Sequence, residues 1–273
     1  NFCNFLPHAD HHDSEQHPIL HFVFFSMELL IYSVFLFFGI HTLLWFFRSL
    51  GHVLRHGRPN NMAAGDKVYV RFEGKHRLLH AVMAISFLGL ALTGLPLKYS
   101  SQPWAQKLVY VLGGFESTSV WHRICGIVTI LYFVTHLTWL IVRIRKRRQL
   151  GTPWMTLVMG PDSPVPNPRD FWDILGMFRW FVGMGPKPSF ERWTYWEKFD
   201  YWAVFWGVGI IGSSGLLLWF PNLFSLVLPG EALNVAKIVH SEEALLATSF
   251  IFAIHFFGTH LRPEKFPIDM SVL

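Results

Sequence analysis

With 273 residues, 52% of them hydrophobic and only 15% charged, and a mean hydropathy of +0.33, the chain is too apolar for an ordinary soluble domain, where about a quarter of residues are charged. Cys3 and Cys125 are the only cysteines, which excludes a disulfide framework and a four-thiolate metal site. The net charge of +5 comes from basic residues flanking apolar blocks, a pattern that suits a membrane better than nucleic acid.

The first segment, from Asn1, has no basic stretch leading into a short apolar core and a small-residue cleavage site, so it does not read as a signal peptide. It carries His8, His11, His12 and His17 beside Asp10 and Asp13. A tract of that composition binds metal ions or is simply a solvated tail, and the second reading is preferred. Five apolar segments follow, at 19–47, 78–97, 120–142, 201–220 and 238–258. Each is close to the ~20 residues that a helix needs to cross ~30 Å of hydrocarbon. The connections differ in charge: seven Lys or Arg lie between the first two spans and ten between the third and fourth, including Arg145 to Arg148. Basic loops stay in the cytoplasm, so the N-terminus is expected outside and the C-terminus inside.

Within the long third connection, Asp170 to Val182 reads as a helix lying in the cytoplasmic interface, with Trp172 and Trp180 at headgroup level. The expected fold is therefore all-α, an integral membrane helical bundle of five transmembrane helices and a cytoplasmic interfacial helix. Its expected parts are a periplasmic tail 1–18, an additional first helix 19–47, a cytoplasmic loop 48–77, a four-helix core 78–258 that includes the loop 143–200, and a cytoplasmic tail 259–273. No internal repeat is evident.

Several of the 15 histidines fall inside the spans, where a polar side chain is expensive and a functional role is the default reading. His122 and His136 stand about four helical turns apart on the third span. His240 and His255 stand a single residue further apart than that on the fifth. At about 1.5 Å per residue these separations are about 21 and 22 Å. The two spans run in the same direction, so His122 and His240 share an outer level and His136 and His255 an inner one, which His80 joins from the second span. Imidazoles from facing helices at two depths are what two haem irons need for axial ligation. Gly126, one turn after His122, leaves room for a porphyrin edge. The inner level has more histidines than one haem uses, so at least one of His41, His80, His136 and His255 does something else unless there is a third haem. Glu242 and Glu243 are expected in the first turn of the fifth span, where negative charge suits the helix dipole.

The segments Arg77 to Phe87 with Leu92-Thr-Gly94, Trp121-His122 to Ile127, Tyr195 to Trp202 with Gly215 to Pro221, and Ile238-Val-His240 to His255 resemble, in order, the four core spans of the cytochrome b (gamma) subunit of formate dehydrogenase and related di-haem quinone-linked cytochromes. That resemblance implies two haem b groups, the outer held by His122 and His240 and the inner by His80 and His255, with His136 as an alternative inner ligand. It also implies a quinone site near the cytoplasmic haem, beside Arg192 to Asp200. One departure is the spacing of the two ligands on the last span, a single residue longer here than in the family, which calls for a helix adjustment at His255.

The N-terminal tract with Phe35 to Arg48 is similar to the junction where such a cytochrome meets a periplasmic multihaem c-type partner. No Cys-x-x-Cys-His occurs in the chain, so any c-type haem belongs elsewhere. The expected function is a respiratory membrane subunit of a quinone-linked oxidoreductase in a bacterial inner membrane, passing electrons between the quinone pool and a periplasmic redox partner. Glu197, Asp200 and His136 are the candidates for quinone-side proton exchange, although each acid also suits a helix cap or a surface charge. A proton or metal-ion transporter built on intramembrane histidines, and a cytochrome b that reduces metal or oxidises ascorbate at the membrane surface, are the alternatives.

Overall fold

In the computed structural model, which describes residues 10–57, 73–264 and 266, the five expected spans are five long helices: α1 (Pro18–His56), α2 (Gly74–Lys98), α4 (Gly114–Gln149), α7 (Tyr195–Trp219) and α9 (Glu231–Phe250). Little of their apolar length is buried inside the protein, and none of it in α4. Side chains such as Phe22, Ile85 and Leu131 point outward, as lipid-facing residues do when the solvent is hydrocarbon. The chain is thus a multi-pass membrane protein with a helical bundle fold. Among the described residues there is no strand.

Four shorter helices lie between the spans: α3 (Pro103–Val111), α5 (Trp154–Met159), α6 (Pro168–Phe181) and α8 (Pro221–Phe224). The interfacial helix expected at Asp170 to Val182 is α6. It starts at Pro168 because Asn167 accepts from the Arg169 N–H while Asp170 returns a bond to the Asn167 N–H, at 3.0 and 2.7 Å, a reciprocal cap that fixes a helix start.

The long helices outrun the apolar segments that announced them, because backbone hydrogen bonding continues through polar turns beyond the hydrocarbon while hydropathy registers only the apolar part. Thus α1 runs to His56, well beyond the expected end at Phe47, and stops at Gly57, whose φ of 76° ends a helix without strain. The fifth span begins at Glu231, which places Glu242 and Glu243 about three turns inside it rather than in its first turn. The dipole account of these two acids is therefore wrong. His8, Cys3, the loop stretch 58–72 and nearly all of 265–273 lie outside the described residues.

The chain divides into two compact units. The first comprises Asn1–Leu36, Leu78–Phe133 and Trp206–Ile251. Here Gly89 lets α2 approach α4: a Cβ at that position would sit 2.5 Å from the Cys125 sulfur. The Thr129 hydroxyl donates to Ser86 Oγ across the same pair at 3.1 Å. Lys98 donates to Glu242 at 2.5 Å, tying α2 to α9. The tail histidines His11 and His12 pack on Phe24, with ring centroids 4.1 and 5.1 Å away.

The second unit comprises Phe37–Arg77, Val134–Phe205 and Phe252–Leu273. Its core is aromatic: Trp45, Phe181 and Tyr195 are buried with Met177, against Phe178, Trp180, Phe190 and Trp196. Beside it the Lys198 ammonium, 2% exposed, donates to both oxygens of Asp170 at 2.8 and 3.0 Å, joining α7 to α6. A buried charge that loses its partner costs about 3–5 kcal/mol, whereas an apolar replacement of both partners is often neutral. Asp170→Ala is therefore expected to lower the melting temperature in detergent markedly, and the Asp170→Leu/Lys198→Met pair to restore most of it. Equal melting of Asp170→Ala and the parent chain would contradict the assignment.

Candidate functional site

Two histidines that the sequence places at one level meet in the first unit. The rings of His122 on α4 and His240 on α9 have centroids 6.2 Å apart and planes inclined at 78°. A polar ring among apolar helices needs a partner, and each has one on the neighbouring helix. His240 Nδ1 lies 2.9 Å from the Ile211 carbonyl. A carbonyl only accepts, so this nitrogen carries the proton. His122 Nδ1 lies 2.9 Å from Thr93 Oγ1, whose own proton goes to the Gly89 carbonyl at 2.6 Å. That nitrogen is also the donor. Both rings therefore carry their lone pair on Nε2, the tautomer that a second-shell acceptor imposes on a metal-binding imidazole.

Glycines seat the two rings. A Cβ at Gly94 would come within 3.0 Å of His122 Cε1, and one at Gly215 within 3.0 Å of His240 Cε1. Each follows a hydroxyl residue, Thr93 or Ser214, and Ser214 Oγ is itself 3.4 Å from His240 Nδ1. At Gly126 a Cβ would meet nothing within 4 Å.

A haem iron fits this donor set. Bonds of about 2 Å from nitrogen to metal on each side, plus about 1.1 Å from nitrogen to ring centre, put the centroids of two opposed imidazoles about 6 Å apart. A bare ion does not fit: among the described residues no group of three or more His, Cys, Asp or Glu side chains is gathered for one. A macrocycle that brings four nitrogens needs only two from the protein.

The second unit holds three of the remaining candidates, and they differ in which nitrogen is engaged. His255 resembles the first pair: its Nδ1 is 3.1 Å from Asp200 Oδ2, which leaves Nε2 outside that bond. In His136 it is Nε2 that meets the Tyr201 hydroxyl, at 3.0 Å. His41, buried among Phe37, Trp45, Phe178 and Phe181, turns its Nε2 to the Tyr195 hydroxyl. His41 is thus a core residue joining α1 to α7. His80 is half-buried near the start of α2, in the first unit.

Of the acids, Asp200 holds His255. Glu197 caps α7, accepting from the Thr194 N–H and hydroxyl at 3.0 and 2.9 Å while Thr194 Oγ1 accepts from the Glu197 N–H at 3.4 Å. Beyond Phe250 the last span continues in two π-helical turns, Ile251–His255 and Phe257–Leu261. A π turn takes up one extra residue, and the first ends on His255. It lies between His240 and His255, whose step along the chain is one residue longer than that from His122 to His136.

In the sequence Thr93, Gly94 and Gly215 stand out only as carriers of the resemblance and Ser214 not at all, so their contact with the two rings was missed, and with it a weak internal repeat. The step along the chain from His80 to Thr93 equals the step from Tyr201 to Ser214. Each hydroxyl-glycine pair faces a histidine, His122 or His240. A second histidine follows that one about four turns later on the same helix. The signal was present in the Thr-Gly and Ser-Gly pairs but is too short to stand out without the contacts.

Comparison with the curated proteins gives no significant match. The sequence model of a family described as prokaryotic cytochrome b561 matches residues 71–264, a stretch that holds α2, α4, α7 and α9 and leaves out α1. With the His122–His240 pair inside that match, the chain is a membrane haem b electron-transfer protein and belongs to the prokaryotic cytochrome b561 family.

Proposed function

We propose that the chain carries two haem b groups, one towards each face of a bacterial inner membrane, and exchanges electrons between the quinone pool on the cytoplasmic side and a periplasmic redox partner. The partner expected from the N-terminal resemblance is a multihaem c-type cytochrome. His122 and His240 are the ligands of the outer haem, and His80 and His255 of the inner one. The observation that carries the reading is the paired tautomer of His122 and His240, each with Nδ1–H held by a neighbouring helix and Nε2 directed elsewhere. A haem bound there supplies reversible one-electron transfer.

The chain's own residues set the conditions. Thr93 and the Ile211 carbonyl hold the ring orientations, and Asp200 does the same for His255. Gly94 and Gly215 let the two rings lie against helix backbone. Lipid-facing apolar side chains exclude water from both levels. The orientation rests on the charge split between loops, with the basic connections in the cytoplasm. The quinone side is assigned to the segment Arg192 to Asp200, which the resemblance places beside the inner haem and which here carries the group that holds His255.

Pyridine haemochrome titration of the purified protein is expected to count two b-type haems per chain, with sharp b-type bands on dithionite reduction. His122→Ala and His240→Ala should each remove the same haem, and His80→Ala and His255→Ala the other, halving the count in every case. A colourless protein would end the haem reading; a full count in His80→Ala would break the inner pairing.

Loss of a second-shell acceptor typically weakens metal binding about 10–100-fold, so Thr93→Val should retain the outer haem about that much less firmly under detergent dilution. Gly94→Leu should not retain it at all. Unchanged retention in both variants would show that the ring seats do not matter.

A further inference from the structure

We propose that His136 and Tyr201, with His76 as their outlet to water, are the groups that exchange protons with the quinone. This rests on the quinone reading above and names the proton-handling residues within it.

The internal repeat gives the first argument. Tyr201 occupies on α7 the place that His80 occupies on α2, at the same step before the hydroxyl-glycine pair. His136 occupies on α4 the place of His255 on α9, once the π turn is allowed for. The repeat-mate of a proposed inner ligand pair is therefore a histidine with a tyrosine in place of the second imidazole, a substitution that replaces a neutral nitrogen ligand with a hydroxyl, which can both donate and accept a proton.

The second argument is geometric. His136 Nε2 and the Tyr201 hydroxyl are 3.0 Å apart and both residues are half-buried. The pair is framed by flat apolar rings: Phe205 lies 5.1 Å from Tyr201 and 6.0 Å from His136, and Trp139 stands 5.9 Å from His136 in a tilted stack at 33°. On the same Trp139 ring, at 5.5 Å, rests His76, at the start of α2. Its Nδ1 is buried and has no hydrogen-bond partner among the described residues. A buried orphan nitrogen is costly unless something satisfies it, and a proton carrier or water does so. The charged groups acting on His76 are Lys75, Glu73, Arg143 and Arg192, and His76 acts in turn on His136. Asp200, next to Tyr201, is committed to His255.

Oxidation of a quinol to a quinone breaks two O–H bonds and releases two protons and two electrons. Haem held by the histidine pairs would supply the one-electron acceptor. The first quinol proton goes to the Tyr201 oxygen as Tyr201 gives its own to His136 Nε2, and His136 loses its Nδ1 proton towards His76 and the water at the membrane surface; a proton returned from water to Nδ1 as Nε2–H is released, or a turn of the ring, restores the lone pair on Nε2 before the second proton follows. Quinone reduction runs the same transfers in reverse.

The test is stopped-flow reduction of the haems by menadiol, with the full chain in detergent, from pH 6 to pH 9. A positioned acid-base group contributes about 10²–10⁴-fold. His136→Phe should slow quinol-driven reduction at least 10²-fold, Tyr201→Phe should slow it at least tenfold, and both should flatten the pH profile and abolish the solvent isotope effect. Haem count and dithionite-reduced spectra should be those of the parent chain. Parent-like rates and pH profiles in both variants would overturn the relay and leave the quinone reading standing. Failure of menadiol to reduce the parent chain would overturn the quinone reading and the relay with it. Loss of a haem in His136→Phe would make His136 a ligand and also overturn the proposal.

Discussion

An imidazole inside a bilayer must satisfy its ring nitrogens from neighbouring helices, and the way this protein does so sorts its histidines. His122, His240 and His255 each commit Nδ1, to Thr93, the Ile211 carbonyl and Asp200. His41 and His136 commit Nε2, to Tyr195 and Tyr201. The first group keeps free of that bond the nitrogen that reaches furthest from the backbone, as a ligand must. In the second group the far nitrogen is already engaged with a tyrosine, which suits core packing at His41 and proton exchange at His136.

The same rule accounts for two lysines. Lys98 and Glu242 neutralise each other between α2 and α9, and Lys198 is held by both oxygens of Asp170. In the second unit α1, which lies outside the family match, contributes Trp45 and His41 to an aromatic core shared with α6 and α7. Lys187 and Arg262 place their charges over the Trp45 ring at 5.1 and 4.6 Å, a contact by which cations are held at an apolar surface. The added span is thus integral to this unit and not merely an anchor.

Much of this was legible in the sequence. Long apolar runs announced five spans, and histidines at matching depths announced the meeting of His122 and His240, because hydropathy and helical rise depend only on residue type and spacing. Helix ends were not legible: the turns of α1 and α4 beyond the hydrocarbon are polar, and nothing in hydropathy says that they stay wound. The seats at Gly94 and Gly215 escaped notice because a glycine in a membrane helix is common, and only the approach of a ring distinguishes these two. Glu242 and Glu243 were misplaced because the start of α9 was set where apolar residues became dense rather than at Glu231. The repeat stayed hidden because its two copies share only a short hydroxyl-glycine pair and two spaced histidines, and differ at the informative position, His80 against Tyr201.

Low-temperature electron paramagnetic resonance of the oxidised protein reads the ligation by His122 and His240, because two imidazoles on one iron make it six-coordinate and low-spin. The near-perpendicular rings of His122 and His240, at 78°, predict a highly anisotropic low-spin ferric signal that disappears in His240→Ala. A high-spin signal from a singly ligated iron, or a low-spin signal that survives His240→Ala unchanged, would contradict the account.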